Sequence, residues 1–182
     1  MFILFYFLAL TLVLIEILLM LALVFLGLAA LTGAPFVPSN KKALGDIFKL
    51  AQIKKQDVVY DLGSGDGRIV IEAAKKGAHS FGWEINPFLC LFSKIRIRLA
   101  GLKKNAKVFW ANYWTKDLSQ ADVIFFFLIT HWMKKMERKI IQEAKPGARI
   151  ISYIFPLPNL KPQKKTKTGV YFYKITRDDK IN

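Results

Sequence analysis

Acidic residues are scarce in this sequence: 13 Asp and Glu stand against 28 Lys and Arg, for a net charge of +15. Cysteine and histidine are scarcer still, with Cys90, His79 and His131 as their only representatives. A lone cysteine excludes an internal disulfide and a cysteine-based metal site, and two histidines are too few to build a zinc site by themselves. Before Lys41 the only charged residue is Glu16. There are no internal repeats.

What fills the uncharged stretch is hydrocarbon. From Phe2 to Leu31 the polar residues are Tyr6, Thr11 and Glu16 alone. That run exceeds the roughly 20 residues needed to cross a bilayer. It also explains why 53% of the chain is hydrophobic and its mean hydropathy is +0.28. A cleaved secretory signal has a basic leading region and an apolar core of about 7 to 15 residues. This stretch has neither, and it reads as a retained single-pass anchor. All the basic residues follow it, beginning with Lys41 and Lys42, so the positive-inside rule places the C-terminal domain in the cytoplasm, at the plasma membrane in a prokaryote. Glu16, mid-span, is expected to be protonated, paired with another helix or facing a polar partner.

Residues 58–68 read Val-Val-Tyr-Asp-Leu-Gly-Ser-Gly-Asp-Gly-Arg. Val58, Val59 and Tyr60 form a short buried strand, Gly63, Gly65 and Gly67 alternate through a turn, and residues 69–76 resume with helical spacing. This strand, turn and helix open a βαβ unit. A dinucleotide fingerprint would place its third glycine where Arg68 stands. Asp61 and Asp66 flank the turn, and carboxylates there would repel a pyrophosphate. The turn suits a positively charged ligand, and S-adenosylmethionine, with its sulfonium and ammonium, fits. A structural glycine turn in another kind of α/β protein is the bland alternative.

The rest of the chain continues the alternation. Residues 32–40, with Pro35 and Pro38, make a short linker. Ser39 or Asn40 then caps a helix through about residue 52, with Leu44, Ile47, Phe48 and Ala51 on one face, expected to lie across the ligand-binding edge of the sheet. A second strand, 80–85, leads into a helix capped by Asn86 with Pro87 in its first turn. On that helix Leu89, Phe92, Ile95 and Leu99 are expected inward, and Lys94, Arg96 and Arg98 outward. Glu84, at the end of the second strand, can accept hydrogen bonds from both hydroxyls of a ribose. Further strands are expected at 106–111, 122–129 and 148–154. A helix bearing Met133, Met136, Ile140 and Ala144 precedes the last of these, and an alternating strand occupies 170–176.

Asp61-Leu62-Gly63-Ser64-Gly65-Asp66-Gly67 resembles the first motif of the class I S-adenosylmethionine-dependent methyltransferases. The resemblance narrows when five features are taken together: the apolar N-terminal helix, Pro35-Phe36-Val37-Pro38-Ser39, the glycine turn, Gly82-Trp83-Glu84-Ile85-Asn86-Pro87, and Phe155-Pro156. Together they are similar to the membrane-anchored lysine methyltransferases that modify the ATP synthase c-subunit, and to their prokaryotic relatives. The resemblance implies a Rossmann-like α/β sheet, mostly parallel with its last strand antiparallel, over residues 41–182, behind an anchor at 1–31 and a linker at 32–40. It implies S-adenosyl-L-methionine as cofactor, with Asp61, Gly63 and Gly65 on its methionine part and Glu84 on the ribose. Asn112 and Tyr113 fall on the adenine side, and Ser64 and Ile85 belong to the same cofactor-binding set. Asn112 departs from the family, which tends to have Asp there, and the C-terminal end is shorter and richer in lysine.

The implied reaction is methyl transfer to a lysine of a membrane protein, the ATP synthase c-subunit leading, with the N-terminal helix in lipid and no metal. No general base is recognisable. Two other readings stay open. The high positive charge would suit an RNA methyltransferase, although the lysines are dispersed and the target-base motifs Asn-Pro-Pro-Tyr and paired cysteines are absent. A non-enzymatic membrane scaffold that keeps the fold is the other.

Overall fold

The computed structural model describes residues 2–32 and 41–180. The expected linker, with Pro35 and Pro38, and the expected caps Ser39 and Asn40 lie outside the described residues. Helix α1 (Phe2–Thr32) is continuous, and the side chains of its most apolar span, Leu4–Val24, are not buried by any other part of the protein.

From Lys41 onward the chain alternates helix and strand: α2 (Lys41–Ala51), β1 (Val58–Leu62), α3 (Arg68–Lys75), β2 (His79–Glu84), α4 (Pro87–Leu99), β3 (Ala106–Trp110), β4 (Val123–Phe126), α5 (Thr130–Glu143) and β5 (Arg149–Tyr153). A hairpin of β6 (Lys164–Lys165) and β7 (Val170–Lys174) closes it. The seven strands form one sheet in the order β3-β2-β1-β4-β5-β7-β6. The first five strands are parallel, and β7 runs antiparallel between β5 and β6. This is the mostly parallel sheet expected from the sequence, with a second short strand, β6, that the basic stretch 157–169 had concealed.

The strand order follows from which residues need covering. Every residue of β4 is buried, as suits a central parallel strand shielded on both faces. On one face α2 and α3 pack Ala43, Ile47, Ala51 and Ala73 against Val59, Val123, Phe125 and Ile151. Farther along the same face, α3 and α4 pack Val70, Ile71, Cys90 and Ile97 against Ala106 and Val108 of β3. The opposite face holds α5, whose Met133, Met136 and Ile140, with the following Ala144, are buried as the spacing predicts.

Helix α2 packs over β5 and β7, and Arg149 at the start of β5 donates to the carbonyls of Ala51 (2.8 Å) and Gln52 (2.6 Å). One expectation about helices is corrected. Helix α4 presents the reverse of the expected face. Its buried residues are Cys90, Ser93 and Ile97, while Phe92, Ile95 and Leu99 are exposed. Ser93 meets the glycine turn so closely that a Cβ on Gly67 would stand 2.9 Å from its own, while Ile97 packs beside Ala106 and Val108 of β3.

Glycine spacing has steric reasons at two positions. A Cβ on Gly82 of β2 would stand 2.6 Å from the Ser64 Cβ and 2.9 Å from Val70 Cγ2. Gly45, on the exposed side of α2, would place a Cβ in open space. Gly82→Ala is therefore expected to destabilise the domain by about 1–3 kcal/mol through overpacking. Gly45→Ala should stabilise it by roughly 0.5–1 kcal/mol through helix propensity. Denaturant unfolding of the full chain in detergent, followed by tryptophan fluorescence, reads both; equal shifts of one sign would contradict the steric account.

Candidate functional site

The glycine turn lies where β1 ends and α3 begins, at the carboxyl edge of the parallel strands. Gly63, Gly65 and Gly67 all have positive φ, at 90°, 53° and 73°, a region that side-chain-bearing residues rarely enter. The turn is fastened to the neighbouring strand: Gly63 and Ser64 both donate their N–H groups to the Trp83 carbonyl, at 2.9 and 3.0 Å. One oxygen of Glu84 accepts from the Gly65 N–H at 2.8 Å, and the other accepts from the Asn86 N–H at 2.8 Å. Helix α4 adds a further tie, as Ser93 Oγ donates to the Gly65 carbonyl at 2.8 Å.

Asp66 does not serve the turn as the sequence suggested. Burial works to raise its pKa, but the hydrogen bond and charge of Arg68, with the charge of Arg96, prevail and hold it below the usual carboxylate range. Arg68 Nε lies 2.9 Å and Arg96 Nη1 2.7 Å from its carboxylate. This acid is ionised and paired with two arginines of the protein itself, although its charge still reaches Asp61.

Asp61 is in the opposite condition. It is buried beneath the turn, and among the described residues no ion pair or side-chain hydrogen bond reaches its carboxylate. Burial first, then the negative charges of Glu84 and Asp66, push its pKa up to about 8. A buried acid held near another carboxylate with no cation between them is a place for a cationic ligand. A ligand with an ammonium group and hydroxyls fits this donor set. A pyrophosphate does not.

The other expected residues are near, with roles that the structure sharpens. The Ser64 hydroxyl is turned inward against Gly82 and has no hydrogen-bond partner among the described residues, so the part Ser64 plays is to shape the turn through its backbone, which bonds Trp83 and Gly67. Ile85 follows Glu84 and accepts a 2.9 Å bond at its carbonyl from the Trp110 indole. Asn112 caps a 3-10 turn over Tyr113–Thr115, its side-chain oxygen accepting from the Trp114 N–H at 3.0 Å. That oxygen keeps one lone pair for another donor. Tyr113 is buried close enough to Glu84 that burial, and then that negative charge, push its pKa up.

Three features were not read from the sequence. An aromatic wall joins the 3-10 turn after β3 to the first turn of α5: Tyr113 packs on Trp114 (5.1 Å between centroids), Trp114 on Trp132 (5.7 Å), and Trp132 on His131 (5.1 Å). The Lys135 ammonium rests on it, 4.4 Å from the Trp114 ring centre and 5.3 Å from that of Trp132. Ser93 and Arg96 brace the turn from α4. Glu137, fully buried on α5, accepts from the Asn159 and Leu160 N–H groups at 2.7 and 2.8 Å and from the Asn159 side chain at 2.7 Å, fixing the segment after Phe155-Pro156. Only the tryptophan cluster had a sequence signal, since Tyr113-Trp114 and His131-Trp132 both follow strands.

The ANTKMT methyltransferase domain family matches residues 61–164 of this chain. The human lysine N-methyltransferase of the ATP synthase c-subunit is 36% identical over 136 residues, covering 75% of this chain and 58% of that protein. A protein-lysine N-methyltransferase of Saccharolobus islandicus is 35% identical over 155 residues, covering 78% and 93%. The chain thus spans little more than half of the human relative and nearly all of the Saccharolobus islandicus one. The crystal structure of an RNA methyltransferase from Salinibacter ruber in complex with S-adenosyl-L-homocysteine superposes with a TM-score of 0.74 at 30% identity, covering 78% of this chain and 95% of that one.

The raised pKa of Asp61 has a sign that can be tested. An acid whose folded pKa lies above its unfolded value contributes stability below about pH 4 that is lost as pH climbs through about 8. Replacing it by Asn removes that loss. In ligand-free protein Asp61→Asn should match the parent near pH 4 and exceed it by an amount on the order of a few kcal/mol near pH 9. Urea midpoints across this range read the difference; a gap that does not widen with pH would show that Asp61 is not a strained carboxylate.

Proposed function

Since this chain belongs to the ANTKMT methyltransferase domain family, we propose that it is a membrane-anchored, S-adenosylmethionine-dependent protein-lysine N-methyltransferase. The observation that carries this reading is Asp61, a buried carboxylate without a cation, under a glycine turn whose backbone is set by Glu84. It is supported by relatives named as lysine N-methyltransferases and by a similar structure that holds S-adenosyl-L-homocysteine.

When bound, S-adenosylmethionine would supply an electrophilic methyl group: a neutral lysine amine would form the N–C bond as the S–C bond breaks, with S-adenosylhomocysteine leaving and the new ammonium losing its proton to solvent. Asp61 would hold the ammonium of the cofactor's methionine part, whose charge would offset the burial and the Glu84 repulsion that keep the acid protonated in its absence. Glu84, its two oxygens each already holding a backbone N–H, keeps lone pairs for the ribose hydroxyls. Asn112, Tyr113 and Ile85 border the adenine side. Trp114 and Trp132 line the approach of the acceptor, and the Lys135 ammonium on their rings disfavours a second cation there. Their apolar surface also favours the neutral amine that the reaction needs. Catalysis is then chiefly the positioning of two reactants.

Helix α1 is read as the anchor: its Leu4–Val24 span has a mean hydropathy of 2.9. With the cations after it, the domain faces the cytoplasm. The acceptor is a lysine of a small membrane protein, the ATP synthase c-subunit first, because a domain tethered close to the bilayer meets membrane-bound lysines at high effective concentration. A second reading, methylation of RNA, is favoured by the name of the Salinibacter ruber protein and by the net charge of +15.

Three measurements check the proposal. Calorimetry is expected to show binding of S-adenosylmethionine and not of NAD, weakened by about 1–3 kcal/mol in Asp61→Ala and in Glu84→Ala. Alkaline carbonate should leave the protein in the membrane pellet. Intact-mass spectra of membrane proteins from cells with and without the chain should differ by one or more methylene units on the acceptor; a methyl difference confined to RNA would replace the lysine reading by the second one.

A further inference from the structure

Helix α4 is built with its larger apolar side chains on the outside. Cys90, Ser93 and Ile97 are the buried residues, whereas Leu91, Phe92, Ile95 and Leu99 are 48–82% exposed. At about 100° per residue these four fall within a stripe roughly opposite the buried three. Lys94 and Arg98 border the stripe on one side and Arg96 on the other, and the helix has no acidic residue. Trp110, 67% exposed, is held beside the start of the helix by its indole bond to the Ile85 carbonyl. An apolar stripe edged by cations, with a tryptophan at its end, has the composition of a helix that lies in a membrane interface.

The direction of α2 brings this surface toward a bilayer. Its last turn is held at the amino ends of the strands by Arg149, while Asp46, nearer its start, accepts from Thr168 Oγ1 at 2.6 Å. Thr168 stands just before Val170, which pairs with Tyr153 at the carboxyl end of β5. The start of α2 therefore lies at the carboxyl edge, where α4 also begins. From Thr32 to Lys41 the chain can reach at most about 30 Å.

We propose that the outward stripe of α4, with Trp110, is a second membrane contact that lies in the headgroup layer of an anionic bilayer and holds the carboxyl edge of the sheet near the membrane surface. The surface takes lipid because Lys94 and Arg98 line one side of it and the helix bears no acidic residue, complementary to anionic headgroups, and because α1 keeps it within reach. The proposal uses the reading of α1 as an anchor and is independent of the methyl acceptor.

The test is the full chain in lipid nanodiscs of phosphatidylcholine with and without phosphatidylglycerol, carrying an environment-sensitive nitrobenzoxadiazole label. One label replaces Leu91 (Leu91→Cys) and a control replaces Gln120 at the amino edge (Gln120→Cys), both in a Cys90→Ala background. The label at 91 is expected to shift to the blue and to be quenched by headgroup-level nitroxide lipids, more so with phosphatidylglycerol; the label at 120 should behave as in water. Adding Ile95→Glu should return the first label to water and leave cofactor affinity within about twofold. Water-like emission at 91 in both lipids, or a blue shift that appears only when a second protein or a second copy of the chain is supplied, overturns the proposal. Carbonate extraction of the same samples separates this outcome from a failure of the anchor, in which the whole protein leaves the disc.

Discussion

Two backbone N–H groups from different elements end on one carboxylate, and the arrangement of the site follows from that. Glu84 joins the glycine turn to the first turn of α4, while Ser93 and Arg96 on the same helix grip the turn at the Gly65 carbonyl and at Asp66. Where α4 meets the turn its underside must therefore be small. Cys90 and Ser93 meet that demand, and the bulky residues are left on the far side. The shape of the cofactor turn and the apolar exterior of α4 are two results of one constraint.

The wide distribution of positive charge gives the acids of this chain their meaning. Asp57 pairs with Arg149, Asp122 with Lys145, Glu143 with Lys139, Glu72 with Lys75, and Asp66 with two arginines. Among the described residues Glu84 and Glu137 are buried without a basic partner, but each accepts N–H hydrogen bonds; neither an ion pair nor a hydrogen bond reaches the Asp61 carboxylate, and burying a charge without a partner is costly. The cost is tolerable where a ligand supplies the missing cation, which is why Asp61 and not Asp66 marks the site.

How much could be read beforehand depends on whether a signal was local. The strand, turn and helix around residues 58–75 are local: strand formers stop at glycines whose left-handed φ only they adopt easily, and helix spacing resumes at once. The Asn86 cap with Pro87 was legible for the same reason, and it accepts from the Phe88 and Leu89 N–H groups. The orientation of α4 was not, because periodicity marks an apolar stripe without saying what lies beneath the helix. The charge state of Asp66 was hidden too, since Arg96 is 30 residues away in sequence. Asn112 shows a mixed case: its place after β3 was foreseen, while its use as a backbone cap required the fold. The two-residue strand β6 gave no periodic signal because it is too short to have one.

The position of β7 sets the order in which the sheet can be completed during synthesis. It fills the slot between β5 and β6, so until residues 170–174 are available β5 keeps an unpaired edge along Arg149–Tyr153. An open edge of this kind recruits strands from other chains. A polypeptide interrupted after β5 would carry the cofactor turn already formed in sequence and still be prone to aggregate, which makes the last hairpin the step that protects the nascent domain.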